Sequence, residues 1–293
     1  MTWIGLPVAI VVAAFVVPAG VRGLAEAGLT RENYRGASLA FPLGAVLATA
    51  SLVALAPLAF LDDRVDLHLL VPELRRWMPY LLGVAFLGFL DDALGRGESV
   101  AAPRGWRGHA RALRRGSLST GAVKALGALA LAAYVVSGRG LESWRYLADV
   151  ALLILATNAF NLLDLRPGRA EKALGLLGAG LCVGAWTWAP VELLGIFAGP
   201  VAVGAAFTLR ERAMLGDTGS NLLGAIAGVW LLTTLGPDAR LIALALVSGL
   251  TIYGEMRSIS TAIESVPPLR WLDSLGRAWD TTSPEFHPQR TRS

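Results

Sequence analysis

The strongest constraint on this chain is a set of long runs of apolar residues without charge. Four such runs contain 19 to 25 residues each: Trp3–Val21, Ala37–Leu61, Ala173–Val191 and Thr218–Pro237. In a helix, about 20 residues at 1.5 Å per residue cross about 30 Å of hydrocarbon. Only 16% of the residues are charged, against about 25% in an average soluble protein. The sequence therefore predicts an all-α, polytopic membrane helix bundle and argues against a soluble enzyme.

We predict about nine membrane-spanning helices from these runs and their polar boundaries. The predicted spans are residues 3–21, 38–60, 76–91, 119–137, 146–163, 173–189, 191–209, 218–235 and 240–257. We expect the first to be a retained helix and not a cleaved signal peptide. No Lys or Arg precedes it, and no small-residue cleavage site follows it before Arg22.

The distribution of positive charge predicts how these spans are oriented. Summed over alternate loops, one side of the membrane holds 20 of the 26 Lys and Arg residues, and the other side holds 6. Because cytoplasmic loops carry the positive excess, we predict the N-terminus outside and the C-terminus in the cytoplasm. We attribute the formal net charge of +4 to this orientation and expect no nucleic-acid partner.

The chain divides into one large domain and two short segments. Residues 1–257 are the predicted transmembrane domain, residues 258–279 an amphipathic cytoplasmic segment, and residues 280–293 a disordered tail. The apolar residues of the amphipathic segment follow a helical pattern that Pro267-Pro268 interrupts. This pattern is compatible with a position on the inner membrane surface and with packing against cytoplasmic loops.

Several charged residues fall at the ends of predicted spans, all on the cytoplasmic side. They are Asp91, Asp92, Lys124, Asp164 and Asp217. One such carboxylate would simply end a helix in solvent, but four at one depth repel one another unless a cation neutralises them. Mg²⁺ binds one or two carboxylates together with substrate phosphate oxygens. The sequence therefore predicts a cytoplasmic Mg²⁺ and phosphate site, beside a basic loop at Arg96–Arg115 that would attract an anionic substrate.

Four motifs carry these residues in a fixed order. They are Gly88-Phe89-Leu90-Asp91-Asp92, Ser119-Thr120-Gly121-Ala122-Val123-Lys124 with Arg107-Gly108-His109 before it, Asn158-Ala159-Phe160-Asn161-Leu162-Leu163-Asp164, and Gly216-Asp217-Thr218-Gly219-Ser220. In this order and at these spacings they resemble the polyprenyl-phosphate N-acetylhexosamine-1-phosphate transferase superfamily. That superfamily includes phospho-N-acetylmuramoyl-pentapeptide transferase and the UDP-N-acetylglucosamine–undecaprenyl-phosphate transferases. The resemblance covers about residues 30–265.

The resemblance implies a reaction at the cytoplasmic face of the plasma membrane. A polyprenyl phosphate lipid attacks the β-phosphorus of a UDP-amino-sugar, UMP leaves, and a lipid-linked sugar diphosphate remains. The implied cofactor is Mg²⁺, and the implied role is the first step of a cell-envelope polysaccharide. The partners are the two substrates and the lipid bilayer. Members of the family often dimerise, so a homodimer is a further expectation.

The resemblance also implies roles for particular residues. Asp91 matches the aspartate proposed as a base or orienter for the lipid phosphate, and Asp92 matches its neighbour near the metal. Asp217 matches the aspartate that ligates Mg²⁺, and Lys124 matches a basic residue that neutralises diphosphate oxygens. We therefore expect Asp91, Asp92, Lys124 and Asp217 to be catalytic, with Asp92 and Asp217 as metal ligands.

A second group of residues is expected to bind substrate. Asn158, Asn161 and Asp164 match the nucleotide-side motif of the family. Arg166, in a loop that departs from the family pattern, is a candidate phosphate ligand. His109 lies among the arginines of the basic loop, which is compatible with diphosphate binding and equally with attraction to anionic lipid.

Three departures from the family pattern keep other functions open. Pro167 stands where the family has a second aspartate after Asp164, no histidine lies in Arg257–Arg277, and no apolar span follows Gly254. The missing histidine counts against the pentapeptide transferase itself. The first alternative is a catalytically inactive scaffold or regulator of the same family. A secondary transporter is disfavoured because the polar residues gather at one membrane face and not at its midplane.

Overall fold

The computed structural model describes residues 2–65, 68–94 and 120–277. Within these residues, nine long helices overlap the predicted spans, although their bounds differ by several residues: α1 Gly5–Glu26, α2 Leu43–Val65, α3 Leu74–Leu94, α4 Thr120–Val136, α5 Ser143–Leu163, α6 Arg169–Gly184, α7 Ala189–Leu209, α8 Gly216–Thr234 and α9 Pro237–Met256. A 3-10 turn, Thr2–Ile4, precedes α1, and two short helices, α10 Ile259–Ser265 and α11 Pro267–Ser274, follow α9. The prediction of an all-α helix bundle is confirmed over these residues.

Six of the described helices are long and apolar enough to cross a membrane: α1 with its preceding turn, α2, α3, α5, α7 and α9. Each of the other three long helices falls short of these candidate spans in length or in hydropathy. Helix α4 is apolar but has 17 residues, α6 has 16, and α8 has 19 but opens with polar residues that include Asp217. The described residues therefore fit a multi-pass membrane bundle with six candidate spans, and the count of nine spans and their orientation stay predictions.

Helix α8 is the centre of the bundle, because its side chains are almost entirely buried. It packs against α2, α3, α5, α6 and α7. Helix α1 in turn packs against α2 and α7. Small residues permit the close approach. A Cβ atom added at Gly224 would lie 2.5 Å from the Cα of Thr157 on α5, and one at Gly44 on α2 would overlap the backbone of Gly219. The start of α8 is thus fixed on several sides by backbone contacts.

A small β-hairpin, which was not predicted, lies between α1 and α2. Strand β1 (Thr30–Glu32) pairs antiparallel with β2 (Ser38–Ala40), with Thr30 opposite Ala40. The hairpin also holds the segment before α8, because Met214 donates its N–H to the Ala40 carbonyl at 2.9 Å. Strands of three residues carry too little alternation to be read from sequence. Their effect is to fix the point at which α8 begins.

Three sequence predictions concern residues outside those described. The basic loop Arg96–Arg115, the substrate-binding prediction for His109 and the disordered tail 280–293 all fall there.

Candidate functional site

Three of the predicted catalytic side chains come together at one end of the bundle. The Lys124 ammonium, one turn into α4, contacts the carboxylate of Asp217 and lies 3.6 Å from Asp91 Oδ2. Asp91 is in the last turn of α3, and Asp217 is in the first turn of α8. The three side chains keep 20 to 31% of their surface exposed. Two carboxylates therefore share one positive charge at a position open to a ligand.

Asp92 has a different environment from its neighbour Asp91. It is 5% exposed, and its Oδ1 accepts the N–H of Asp217 at 3.0 Å. Its Oδ2 accepts the N–H and the hydroxyl of Thr218, at 2.8 and 2.6 Å. Because the first N–H groups of a helix have no partner within it, this carboxylate caps α8 from the neighbouring helix. Asp92 thereby fixes the position of Asp217, and its predicted role as a metal ligand stays a prediction.

Two glycines make this contact between α3 and α8 possible. A Cβ atom at Gly88, one turn before Asp92, would overlap the carbonyl of Asp217 and lie 2.7 Å from Asn221 Nδ2. Gly216 has a φ of +74°, a conformation that glycine adopts without steric cost. A side chain at Gly216 would also lie 2.8 Å from Asp92 Oδ2. The glycines of both motifs thus have a steric function in bringing the two aspartates together.

One of the two asparagines of α5 reaches the start of α8. Asn161 Oδ1 accepts the hydroxyl of the buried Ser220 at 3.2 Å. Asn158 lies one turn earlier on α5 and is half-buried. The structure therefore brings Asn161 to the Gly216–Ser220 motif, whereas no hydrogen bond of the Asn158 side chain occurs within the described residues.

Asp164 follows α5 and lies near the same carboxylates. Burial raises its pKa well above the ordinary value, and the charges of Glu171, Asp217 and Asp92 raise it further. A carboxyl group in such surroundings favours the protonated form unless a cation is present. Asp164 is therefore electrostatically part of the cluster, although it does not contact Lys124.

A cleft next to Asp164 contains Arg166, the candidate phosphate ligand. The Arg166 guanidinium lies 4.4 Å from the centroid of the Tyr34 ring and 3.2 Å from Glu264 Oε1. The cleft is lined by Asn33, Tyr34, Leu39, Asp164, Leu165, Arg166, Pro167, Thr208, Ala213, Met214 and Leu215. Arg166 thus already has an aromatic and an anionic partner, so a phosphate would have to compete with Glu264 for it.

Sequence reasoning missed two buried polar residues beside the site. Asn221, one turn after Asp217, is 1% exposed, and neither of its side-chain polar atoms has a hydrogen-bond partner within the described residues. Glu171 is 6% exposed and accepts the hydroxyl of Thr208 at 2.6 Å through Oε1. A polar residue directly after a motif, inside an apolar run, was the available signal for Asn221. Glu171 carried no such signal, because it sits among the charges of a predicted loop.

The carboxylates near Lys124 offer few donor atoms to a metal ion. Within the described residues, no group of three or more His, Cys, Asp and Glu side chains is placed to hold a metal ion. Mg²⁺ commonly takes only one or two carboxylates and completes its shell with water and substrate phosphate. Asp91 and Asp217, which reach the same ammonium group, meet that lower requirement. The donor chemistry fits a cation that binds together with an anionic substrate.

A second charged cluster lies at the opposite end of the bundle, near the start of α5. Asp149, which is 4% exposed, pairs with Arg139 at 2.9 Å and with Arg240 at 3.4 Å. Arg240 also donates to the Leu235 carbonyl at 2.9 Å. Here one carboxylate has two cationic partners, which is the opposite balance from that at Lys124.

No family model matches the chain, and no curated protein matches it. The class that the fold and site define is therefore a helical membrane bundle with a carboxylate cluster at one end. The resemblance to a family stays a prediction from the sequence motifs.

Proposed function

We propose that this chain is a polyprenyl-phosphate N-acetylhexosamine-1-phosphate transferase. It would cross the plasma membrane with nine helices, its N-terminus outside and its carboxylate cluster facing the cytoplasm. There it would transfer N-acetylhexosamine-1-phosphate from a UDP-sugar to undecaprenyl phosphate and release UMP. The observation that carries this proposal is the juxtaposition of Asp91, Lys124 and Asp217, from three separate motifs, with too little positive charge for two carboxylates.

The proposed reaction exchanges one phosphorus–oxygen bond for another. An oxygen of the lipid phosphate bonds to the β-phosphorus of the UDP-sugar, and the bond from that phosphorus to the UMP oxygen breaks. Asp91, exposed beside Lys124, is placed to orient the lipid phosphate or to take its proton. Lys124 is placed to offset the charge of the diphosphate oxygens. Phosphoryl transfer depends chiefly on such positioning and charge neutralisation.

The Mg²⁺ ion would be held by Asp217 and one neighbouring carboxylate. When bound, it would supply further charge neutralisation at the diphosphate. In the described geometry Asp91 is the carboxylate with free access, whereas the oxygens of Asp92 accept three hydrogen bonds from Asp217 and Thr218. We therefore assign Asp92 to holding the start of α8, so that Asp217 faces Lys124.

One observation favours the alternative, an inactive scaffold of the same family. Arg166, next to Pro167, is paired with Glu264 and stacked on Tyr34. A loop occupied in this way would bind a nucleotide less readily. Against this alternative, Asp91, Lys124 and Asp217 are all retained and close together.

The proposal is tested by UMP release from purified protein with undecaprenyl phosphate, Mg²⁺ and UDP-N-acetylglucosamine. Release should require all three components and should produce a lipid-linked sugar diphosphate in equal amount. A panel of other UDP-amino-sugars would identify the preferred donor. If folded protein releases no UMP with any donor, the proposal is contradicted and the inactive scaffold is supported.

A further inference from the structure

The C-terminal segment forms a specific contact with the start of α6. Arg169 donates through Nε and Nη2 to the two carboxylate oxygens of Asp273, at 3.0 and 3.1 Å. Its Nη1 donates to the Ser260 hydroxyl at 3.0 Å. A bidentate pair of this kind fixes both distance and orientation. We call residues 259–277 the strap. These contacts anchor it to Arg169, which lies more than 90 residues earlier in the sequence.

Further contacts extend from this pair toward Asp164. Lys172 donates to the carbonyls of Leu272 and Leu275, at 3.1 and 3.2 Å. Arg277 pairs with Asp273 at 2.8 Å and donates to the Pro167 carbonyl at 3.3 Å. The loop 164–168, which lines the cleft, is therefore held by the strap at its C-terminal side.

The strap also reaches the exposed part of the same loop. Glu264 on α10 pairs with Arg166 at 3.2 Å, and Arg166 in turn stacks on Tyr34. Glu264 keeps 53% of its side chain exposed, so this surface pair contributes little to docking. Arg169 and Asp273 are only 5% and 10% exposed. The buried pair therefore dominates the attachment, and the exposed pair sets where Arg166 points.

The electrostatics of Asp273 agree with this ranking. Burial alone would raise its pKa, but the hydrogen bonds from Arg169 and the charges of Arg277, Arg169 and Lys172 lower the pKa below its ordinary value. The charged form is thus favoured in the docked state.

The outer face of the strap has the chemistry of a membrane interface. Helix α11 exposes Leu269 and Trp271, the latter by 64%. The strap begins three residues after Met256, where the candidate span α9 ends, so it lies close to the bilayer surface. Tryptophan favours that interface, and the exposed Arg257 and Arg270 would face anionic headgroups.

We infer that the strap positions the loop 164–168 for nucleotide binding, with α11 seated on the membrane surface at this end of the bundle. Asp273 and Arg169 are then positioning residues, because they hold the strap whose Arg277 pairs with Asp273 and donates to the Pro167 carbonyl in the loop. The substrate part of this inference rests on the proposed function. Its structural part, that the strap orders the loop, does not.

The experiment compares Asp273→Asn with Glu255→Gln, which converts an exposed carboxylate at the same end of the bundle into an amide. In Asp273→Asn, hydrogen exchange in residues 164–168 should accelerate about tenfold. Opening of the loop costs less free energy in this variant, because it no longer has to break the buried Arg169–Asp273 ion pair. The dissociation constant for UDP-N-acetylglucosamine should rise about tenfold, with kcat changing less than about threefold. Asp273→Glu should restore most of both, and Glu255→Gln should match the wild type.

Several outcomes would overturn the inference. Unchanged exchange in Asp273→Asn would show that the strap does not order the loop. Faster exchange with unchanged nucleotide affinity would show that the ordering has no role in binding. If Asp273→Asn does not fold, Arg277→Gln, which loses the contact with Pro167, provides the same two readouts.

The proposed function can fail separately from the strap. If the wild-type protein binds no UDP-sugar, the proposed function is contradicted, while hydrogen exchange still decides whether the strap orders the loop. A fluorophore on Trp271→Cys, in a Cys182→Ser background, tests the membrane side in nanodiscs that contain brominated lipids. Quenching by the brominated lipids is expected. Quenching only by an aqueous quencher would contradict the seating of α11.

Discussion

The two ends of the bundle both contain buried or half-buried charge, but they balance it in opposite ways. Near the start of α5, Asp149 is almost inaccessible and has Arg139 and Arg240 as partners. At the other end, Asp91 and Asp217 share the single ammonium of Lys124 and keep about 30% of their surface exposed. A carboxylate with two fixed cations is satisfied by the protein itself. Two carboxylates with one cation carry more negative charge than that cation neutralises, so they favour the binding of a further cation.

This difference separates a structural ion cluster from a candidate reaction site. Burial of ions is costly, so structural clusters are closed by partners within the chain. A site that binds a cation and phosphate needs accessible charge that the protein leaves uncompensated. The comparison therefore predicts that substitutions at the Asp149 end affect stability, and that substitutions at the Lys124 end affect turnover.

After the complete loss of turnover expected for Asp217→Asn, the largest effect is expected for Asp91→Asn. Loss of an oriented base or hydrogen-bond acceptor should lower turnover about 100-fold, which corresponds to about 2.7 kcal/mol in the barrier. Binding of the UDP-sugar should be largely retained, because Asp217 still offers a carboxylate to Mg²⁺ and Asp91 is proposed to act on the lipid phosphate. UMP release and calorimetric binding measure the two quantities. A loss of binding with little change in kcat would move Asp91 to the nucleotide side.

The complementary substitution is Asp149→Asn. It should lower the free energy of unfolding by about 1–3 kcal/mol, less than the roughly 3–5 kcal/mol of a fully buried broken pair, because both arginines keep some exposure. Turnover per folded molecule should stay near that of the wild type. Thermal unfolding in detergent and UMP release at matched folded protein test this. A large fall in kcat would remove the distinction between the two ends.

A smaller effect is expected for Gly88→Ala at the contact between α3 and α8. The added Cβ would overlap the Asp217 carbonyl, and such overpacking typically costs about 1–3 kcal/mol. Turnover should fall about tenfold, because displacement of α8 moves Asp217 away from Lys124. Gly180→Ala is the matched control, since nothing lies within 4 Å of a Cβ there. Equal behaviour of the two variants would contradict the steric role of Gly88.

The smallest effect is that of pH on the Arg169–Asp273 pair, which anchors the strap. Because the pKa of Asp273 is lowered in the docked state, docking should be fully stabilised above the ordinary value of about 3.9 and lost only as pH falls through the lower value. Loop protection at pH 5 should therefore equal that at pH 7, after correction for the intrinsic exchange rate. Weaker protection of the loop at pH 5 than at pH 7 would contradict the role of Asp273 in anchoring the strap.

The sequence predicts the helices well because their signal is local. Uncharged runs and charged boundaries located α3, whose predicted 76–91 compares with Leu74–Leu94, and α5, whose predicted 146–163 compares with Ser143–Leu163. Both helices extend through charged or polar residues that a hydropathy pattern excludes. The hairpin at Thr30–Ala40 was missed, because six residues in two strands give no periodicity.

The sequence predicts the composition of the site better than its geometry. Helix ends alone placed Asp91, Lys124 and Asp217 at one depth. They could not distinguish Asp91 from Asp92, because the cap that Asp92 provides spans 125 residues of sequence. The pair of Arg169 and Asp273, 104 residues apart, was equally invisible. Such long-range hydrogen bonds depend on how helices pack, which no local pattern encodes.

The most direct test of the carboxylate cluster is Mg²⁺-dependent UMP release by the wild type beside Asp217→Asn. Both proteins should be assayed at equal amounts of folded protein, with undecaprenyl phosphate and the preferred UDP-sugar. We expect release by the wild type to saturate with Mg²⁺, and the variant to release no UMP at any Mg²⁺ concentration while remaining folded. Equal release by the two proteins would contradict the account, because a site whose charge balance is set by Asp217 could not survive its loss.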